Sequence, residues 1–141
     1  MGRLKPAPRG DETAFDVVER LGLALPDVEV GRIYGAPALK VHGRMFACLA
    51  SHRSAEPNTL VVRLPFDRRD ELLAEAADLF YLTDHYIDYP CVLVRLARVR
   101  KDMLRDLLRM GWRFMSTQKR LEIRTHRSAR PRRAPQRLKK E

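Results

Sequence analysis

Two apolar runs separated by His42-Gly43 constrain the fold of this chain more than any other stretch of its sequence. A short break that contains glycine, placed between two extended runs, is typical of a β-hairpin. A two-residue loop would place Val41 opposite Arg44, whereas a three-residue loop would place Val41 opposite Met45. The apolar alternation favours the three-residue loop, with Gly43 supplying the positive φ that such a loop needs.

This register predicts what each face of the hairpin carries. One face is apolar and is expected to meet the core, while the other is expected to be partly basic. The predicted inner residues are Leu39, Val41, Met45, Ala47 and Leu49, and the predicted outer residues are Lys40, Phe46 and Cys48.

Helical spacing of apolar residues occurs in three segments. The first covers residues 14–25 after a cap at Thr13, and the second covers residues 68–78 after a cap at Asp67. The last helix is predicted to run from near Val99 to about Ser116, with a broad apolar arc on one side.

Strand patterns occupy residues 28–34, 59–64 and 91–96, in addition to the two hairpin strands. Gly35-Ala36-Pro37 is interpreted as a break before the hairpin. The resulting order is α-β-β-β-β-α-β-α. It predicts a two-layer α+β domain with a mainly antiparallel sheet covered on one side by helices.

Three motifs resemble those of the MmcQ/YjbR family. They are LKVHGRMFA (39–47), DHY with YPCVLVRL (84–86 and 89–96), and LRDLLRMGWR (104–113). The resemblance covers roughly residues 13–117 and implies a small bacterial domain with a double-wing-like fold. It also implies DNA binding, and it brings no catalytic or base-reading residues with it.

The net charge of +10 is concentrated at the ends of the chain. Residues 118–141 hold ten Lys or Arg and two Glu, and residues 1–10 hold three bases, whereas residues 11–117 hold fifteen bases and sixteen acids. We expect a flexible arm over residues 1–12, a folded domain over residues 13–117, and a disordered basic tail after it. Such a tail would bind polyanions through counterion release.

Basic residues in three regions are candidates for nucleic-acid contacts. On the last helix they recur every four residues, although Asp102 and Asp106 at i,i+3 are expected to neutralise part of the row. The sheet bases are expected to point away from the helices, beside Phe46 and without an acidic neighbour in sequence, so we favour the sheet group. For each group taken alone, a solvated, solubilising surface is the favoured interpretation, and nucleic-acid contact is the alternative. The candidates are Lys40, Arg44, Arg63 and Arg95 in the sheet, Lys101, Arg105, Arg109 and Arg113 on the helix, and Arg124, Arg127, Arg130, Arg132 and Arg133 in the tail.

Three further side chains are expected to have packing roles. Trp112 lies at the edge of the apolar arc, where packing is the prediction and stacking on a base is the alternative. Cys48 and Cys91 lie within apolar strands, without metal-ligand spacing, and are predicted to be buried free thiols.

An acid, an imidazole and a phenol come together at Asp84-His85-Tyr86. A general acid-base pair is one interpretation, and a structural loop with hydrogen-bonded side chains is the favoured one. No phosphate-binding glycine loop, nucleophile elbow or metal motif occurs in the sequence. The other histidines are expected to lack partners: His42, His52 and His126.

The sequence therefore predicts a non-enzymatic protein that binds DNA or another polyanion and needs no cofactor or metal. A protein-interaction module that uses the sheet face, and a small-ligand or enzymatic site near His85, remain alternatives. Without an apolar run of spanning length or a signal core, the protein is expected to be cytoplasmic, not bound to a membrane, and monomeric.

Overall fold

Six strands form one antiparallel sheet in the computed structural model, which describes residues 10–129 and the side chains of residues 15–117. The helices are α1 (Gly10–Leu23), α2 (Phe66–Glu75) and α3 (Lys101–Ala129), and the strands are β1 (Val28–Ile33), β2 (Ala36–Val41), β3 (Arg44–Leu49), β4 (Thr59–Arg63), β5 (Phe80–Tyr81) and β6 (Cys91–Arg95). The strand order across the sheet is β1-β2-β3-β4-β6-β5. The predicted α+β class is confirmed.

All three helices pack against the same face of the sheet. Val18 of α1 and Leu107 and Leu108 of α3 are fully buried there, and α2 adds the partly buried Leu72 and Leu73. The helical apolar faces predicted from the sequence are therefore the ones that meet the core. Strands β2, β4 and β6 contribute two buried residues each to this core: Leu39, Val41, Leu60, Val62, Val92 and Val94.

The β2–β3 hairpin has a two-residue loop, so the predicted three-residue loop is wrong. Val41 lies opposite Arg44, and the loop residues His42 and Gly43 have φ of 53° and 80°. Two consecutive positive φ values define a type I′ turn, whose twist matches that of the strands it joins. The prediction that Gly43 has positive φ is confirmed.

A β-bulge at Phe46 explains how the short loop fits the apolar pattern. Lys40 lies opposite Met45, but Leu39 lies opposite Ala47, so Phe46 is an extra residue in β3. Phe46 is fully buried on the helix side and Met45 packs on the other face, the reverse of the prediction. One inserted residue exchanges the two faces, and alternation alone does not reveal where the insertion lies.

A second turn of the same kind joins β1 to β2. Tyr34 and Gly35 have φ of 52° and 81°, and Ile33 pairs with Ala36 directly across them. Part of the segment interpreted as a break is therefore strand, with Pro37 opposite Arg32.

Two predicted helix caps are wrong. α1 begins at Gly10, so Thr13 lies inside the helix. α2 begins directly after Pro65, and no side chain caps it, so Asp67 belongs to its first turn. Pro65 has φ −59° and ψ 151°, so it is the non-helical residue that precedes the helix.

Helix α3 continues to Ala129, beyond Ser116 where the sequence predicted its end. Its backbone is thus helical over residues 118–129, where disorder was expected; Lys, Arg, Leu and Glu in this segment all favour helix. Residues 1–9 and 130–141 lie outside the described residues. The two-residue strand β5 was missed because it is too short to show alternation.

Helix α3 lies close to the sheet at Gly111. A Cβ atom on Gly111 would lie 3.1 Å from Val62 Cγ1 and 3.2 Å from the carbonyl oxygens of Phe46 and Arg63. The next residue, Trp112, packs on the core and donates its Nε1–H to the carbonyl oxygen of Pro26 at 2.9 Å. The predicted packing role of Trp112 is confirmed.

We expect Gly43→Val to destabilise the protein by about 1–3 kcal/mol, because a β-branched side chain is strained at positive φ. Gly43→Asn is the matched control, since Asn tolerates this conformation far better. Thermal or urea unfolding of both variants measures the difference. Equal midpoints for the two variants and the unmodified protein would show that the turn conformation does not limit stability.

Candidate functional site

Two loops cover the sheet face opposite the helices, so this face is not the open surface that the sequence predicted. The loops span residues 50–58, between β3 and β4, and residues 82–90, between β5 and β6. Ala55 of the first loop and Tyr86 of the second pack on a small second core. The same loops cover the sheet face that the protein-interaction alternative assigned to a partner protein. The buried members of this second core are Ala38, Cys48, Val61, Cys91 and Leu93.

Arg95 fixes the first loop to the sheet. Its Nε and Nη2 atoms each lie 2.9 Å from one carboxylate oxygen of Glu56, and its guanidinium lies 4.4 Å from the centre of the Tyr81 ring. It also donates to the carbonyl oxygens of Ala77 and Asp78. This bidentate hydrogen bonding lowers the pKa of Glu56. Arg95 therefore has an acidic partner 39 residues away, where the sequence predicted none.

Arg69 fixes the second loop to α2. It is almost fully buried, and its Nη1 donates to the carbonyl oxygens of Ile87 at 2.8 Å and Tyr89 at 3.1 Å. Its guanidinium also lies 4.8 Å from the centre of the Phe66 ring. A buried guanidinium has to be satisfied in this way, so the loop backbone and the helix are held together by one side chain.

The two loops meet through stacked histidines. The rings of His52 and His85 are parallel within 6°, with centroids 3.6 Å apart, and Tyr86 meets His85 edge to face. Nδ1 of His52 accepts the backbone N–H of Ser54, and the Ser54 hydroxyl lies 2.8 Å from that of Thr83. The expectation that His52 lacks a partner is wrong. His85 contacts its neighbours through ring stacking, and the side-chain hydrogen bond that the favoured interpretation gave it is not observed among the described residues.

A pocket of about 440 Å³ lies between these loops and the sheet. Its floor is formed by Met45, Cys48, Val61 and Cys91, all on the second face of the sheet. The other lining residues come from the two loops, the end of β1, the turn after it and strand β4: Ile33, Tyr34, Ser51, His52, Arg63, His85, Tyr86 and Tyr89.

The two cysteines are free and buried, which confirms the prediction. Burial raises the pKa of the Cys48 and Cys91 thiols to about 11, although the nearby charge of Arg63 acts in the opposite direction. Both thiols therefore stay protonated near neutral pH, and as neutral groups they are poor nucleophiles and poor metal ligands. No group of three or more metal-ligating side chains occurs among the described residues.

The surroundings of His52 and of the neighbouring Tyr86 also shift the pKa values of these two side chains. Loss of hydration, together with electrostatic interaction with His85 and Arg53, lowers the pKa of His52. Loss of hydration raises the pKa of Tyr86, and the nearby backbone of His52 partly opposes this shift. Both groups are therefore uncharged near neutral pH.

Among the sheet candidates, each base has a different environment. Arg63 lines the pocket, and its buried Nε has no hydrogen-bond partner within the described side chains. Lys40 lies along Gly31 of the neighbouring strand. Arg44 lies opposite Val41, on the helix side of the hairpin, and Phe46 is buried beneath the helices. The structure therefore does not bring the sheet candidates together into one basic surface.

The helix candidates do form one row. Lys101, Arg105, Arg109 and Arg113 are all exposed on the outer surface of α3. The predicted pairs with Asp102 and Asp106 are not formed among the described side chains; Asp102 lies 3.6 Å from Arg100 instead. Arg124 and Arg127 fall within the helical backbone, while Arg130, Arg132 and Arg133 lie outside the described residues.

Sequence reasoning missed the pocket because its walls come from distant segments. One signal was present: strands β4 and β6 carry continuous apolar runs, which are typical of strands that are buried on both faces. Those runs indicated a second buried face. They did not indicate which loops would cover it.

A six-stranded antiparallel sheet with helices on one face and a loop-lined pocket on the other defines a small α+β domain. No helix within the described part of the chain is long and apolar enough to cross a bilayer. The sequence model of the YjbR family matches residues 23–114, more than half of the chain, and the protein belongs to this family. No curated protein and no solved structure shows a significant match to this chain.

The Glu56–Arg95 ion pair gives a pH-dependent part of the stability. Because the pKa of Glu56 is lowered in the folded state, the pair stabilises above the ordinary value of 4.5, and this stabilisation is lost as the pH falls through the lowered value. We expect Glu56→Gln to lower the melting temperature at about pH 7, and the difference from the unmodified protein to shrink as the pH falls below 4.5 and through the lowered pKa.

Glu71→Gln is the matched control, because Glu71 pairs with Arg68 on an exposed helix surface, where ion pairs contribute little. Melting curves over this pH range measure both variants. If Glu56→Gln and Glu71→Gln changed the melt equally at every pH, the pair would not hold the loop.

Proposed function

We propose that the protein is a non-catalytic nucleic-acid-binding protein whose folded domain contacts phosphates through the outer surface of α3. One observation carries this proposal: the exposed bases of this surface are not neutralised by Asp102 or Asp106 among the described side chains. Exposed, unpaired bases are the groups that release counterions when they meet a polyanion.

The spacing of the row suits a phosphate backbone. Bases four residues apart advance by about 6 Å along the helix axis and drift by about 40° around it, so the row from Lys101 to Arg113 is about 18 Å long. Duplex DNA carries one charge per about 1.7 Å of its axis. Contacts of this kind supply affinity and orientation, and they do not read sequence.

The sheet group supports nucleic-acid binding less well than the sequence indicated. Arg95 is held by Glu56, and Arg63 lines a pocket on the face that the loops cover. Phe46, the expected stacking partner for a base, is fully buried. We therefore assign the contacts to the helix group.

The length of α3 extends the same surface. The helix carries eight Lys or Arg and three Asp or Glu between Lys101 and Ala129. The sequence places Arg124 and Arg127 in this range, and six further bases follow it in residues 130–141. Polyanion affinity is thus expected from the helix and from the segment after it.

The helix assignment is tested by comparing two double variants, one that neutralises two bases of α3 and one that neutralises two bases of the sheet. We expect Arg105→Gln with Arg109→Gln to weaken binding and to reduce the slope of log affinity against log salt by roughly 1.8, since each lost phosphate contact removes about 0.9 for duplex DNA. Lys40→Gln with Arg63→Gln is the control of equal charge and should leave the slope unchanged. Titrations with duplex DNA, single-stranded DNA and RNA provide the measurement.

If Lys40→Gln with Arg63→Gln weakened nucleic-acid binding more than Arg105→Gln with Arg109→Gln did, the phosphate contacts would belong to the sheet. If neither pair altered affinity, the folded domain would not bind nucleic acid, and the protein-interaction alternative would be the better one.

Truncation after Ala129 separates the helix from the segment that follows. It removes six Lys or Arg and one Glu, so we expect weaker binding and a salt slope reduced by up to roughly 5. The melting temperature should not change, because the described core ends well before this point. An unchanged affinity and slope would show that residues 130–141 do not contribute to binding.

A further inference from the structure

We propose that the pocket on the second face of the sheet binds a small flat aromatic molecule that carries one anionic group. The pocket lies on the opposite side of the sheet from α3, and its occupancy does not depend on nucleic-acid binding. Its volume of about 440 Å³ falls within the range of small-molecule sites, about 300–1,000 Å³.

The charge of the pocket favours an anion. None of its twelve lining residues is Asp, Glu or Lys, and Arg63 carries the permanent positive charge. The acids of the adjoining loop, Asp84 and Asp88, are exposed and do not line the pocket. Since the thiols of the floor are protonated, the charge of Arg63 is not neutralised by any lining group.

The hydrogen bonding of Arg63 points to an oxygen acceptor. Its Nε is buried and has no partner within the described side chains. A buried donor without an acceptor is costly, and a guanidinium presents its N–H groups in a planar fork that fits a carboxylate or a phosphate. Because Nε itself is buried, an anionic oxygen in the pocket would accept from the terminal N–H groups of this guanidinium, for which no hydrogen bond is observed among the described residues.

The remaining lining favours a flat ring. Five of the twelve lining residues carry aromatic rings, and the floor below them is apolar. Aromatic side chains offer ring faces and edges that pack closely on another ring. Apolar walls with one charged group are typical of sites that hold a small ligand in one orientation. The aromatic members are Tyr34, His52, His85, Tyr86 and Tyr89.

The walls of the pocket are held in place by side chains outside it. Arg95 holds the first loop through Glu56, and Arg69 holds the backbone of the second loop at Ile87 and Tyr89. Walls that are already fixed need little ordering when a ligand binds, which favours affinity for a molecule of this size.

The test uses 2-naphthoate and phenyl phosphate as anionic probes and 2-naphthamide as the uncharged counterpart of the first. Titrations followed by two-dimensional amide NMR of the full-length protein should shift the resonances of Val61, Arg63 and Cys91. We expect naphthoate to bind at least about ten-fold more tightly than naphthamide, a difference of about 1.4 kcal/mol. Comparison of the two anions shows which anionic group the pocket prefers.

Arg63→Met tests the role of the cation, because it removes the charge and keeps an unbranched apolar stem. It should weaken naphthoate binding at least about ten-fold and leave naphthamide binding unchanged. Arg105→Met, on the outer surface of α3, is the matched control and should bind both probes as the unmodified protein does.

Any one of three results would overturn the proposal. The first is that no pocket resonance shifts up to about 10 mM probe, a concentration at which even very weak binding is detected. The second is equal affinity for naphthoate and naphthamide, and the third is unchanged naphthoate affinity in Arg63→Met. If Arg63→Met fails to fold, the comparison of the two probes on the unmodified protein decides. Nucleic-acid titrations of the α3 variants do not enter this test, so the two proposals fail separately.

Discussion

Burial of β4 and β6 on both faces is the constraint on which the rest of the structure depends. Leu60 and Val62 face the helices, while Val61 between them faces the second core. A strand with two apolar faces has to be covered twice. The helices cover one side fully, but the loops bring little apolar surface to the other, mainly Ala55 and Tyr86. The pocket is the volume that this incomplete cover leaves.

Local patterns predicted the order of the main elements, the apolar faces of the helices and the packing of Trp112, because each depends on a few neighbouring residues. They did not predict the bulge at Phe46, since a single inserted residue changes the faces of a strand without changing its composition. They also assigned Arg95 to the solvent, because its partner Glu56 is close only in the folded chain. For the candidate site, residue types could be predicted and their contacts could not.

The two proposed surfaces lie on opposite sides of helix α3 and strand β4, which are in contact with each other. The carbonyl oxygen of Arg63 lies beside Gly111 of α3, while the side chain of Arg63 lines the pocket. A side chain at Gly111 would require a small shift of the strand or of the helix, because its Cβ would lie 3.2 Å from this oxygen. The helix that carries the outer row and the strand that carries the cation of the pocket meet at this contact. Their positions are therefore linked through the fold, although their proposed ligands are different.

The sheet ends differently at its two edges. At one edge β5 pairs only two residues with β6, which leaves too short a strand for another chain to extend. At the other edge β1 is six residues long and exposes Val30, but Glu29 and Arg32 are also exposed, and Gly31 weakens the strand between them. The shortness of β5 protects the first edge against pairing with a strand of another chain, and the exposed charges of β1 protect the second.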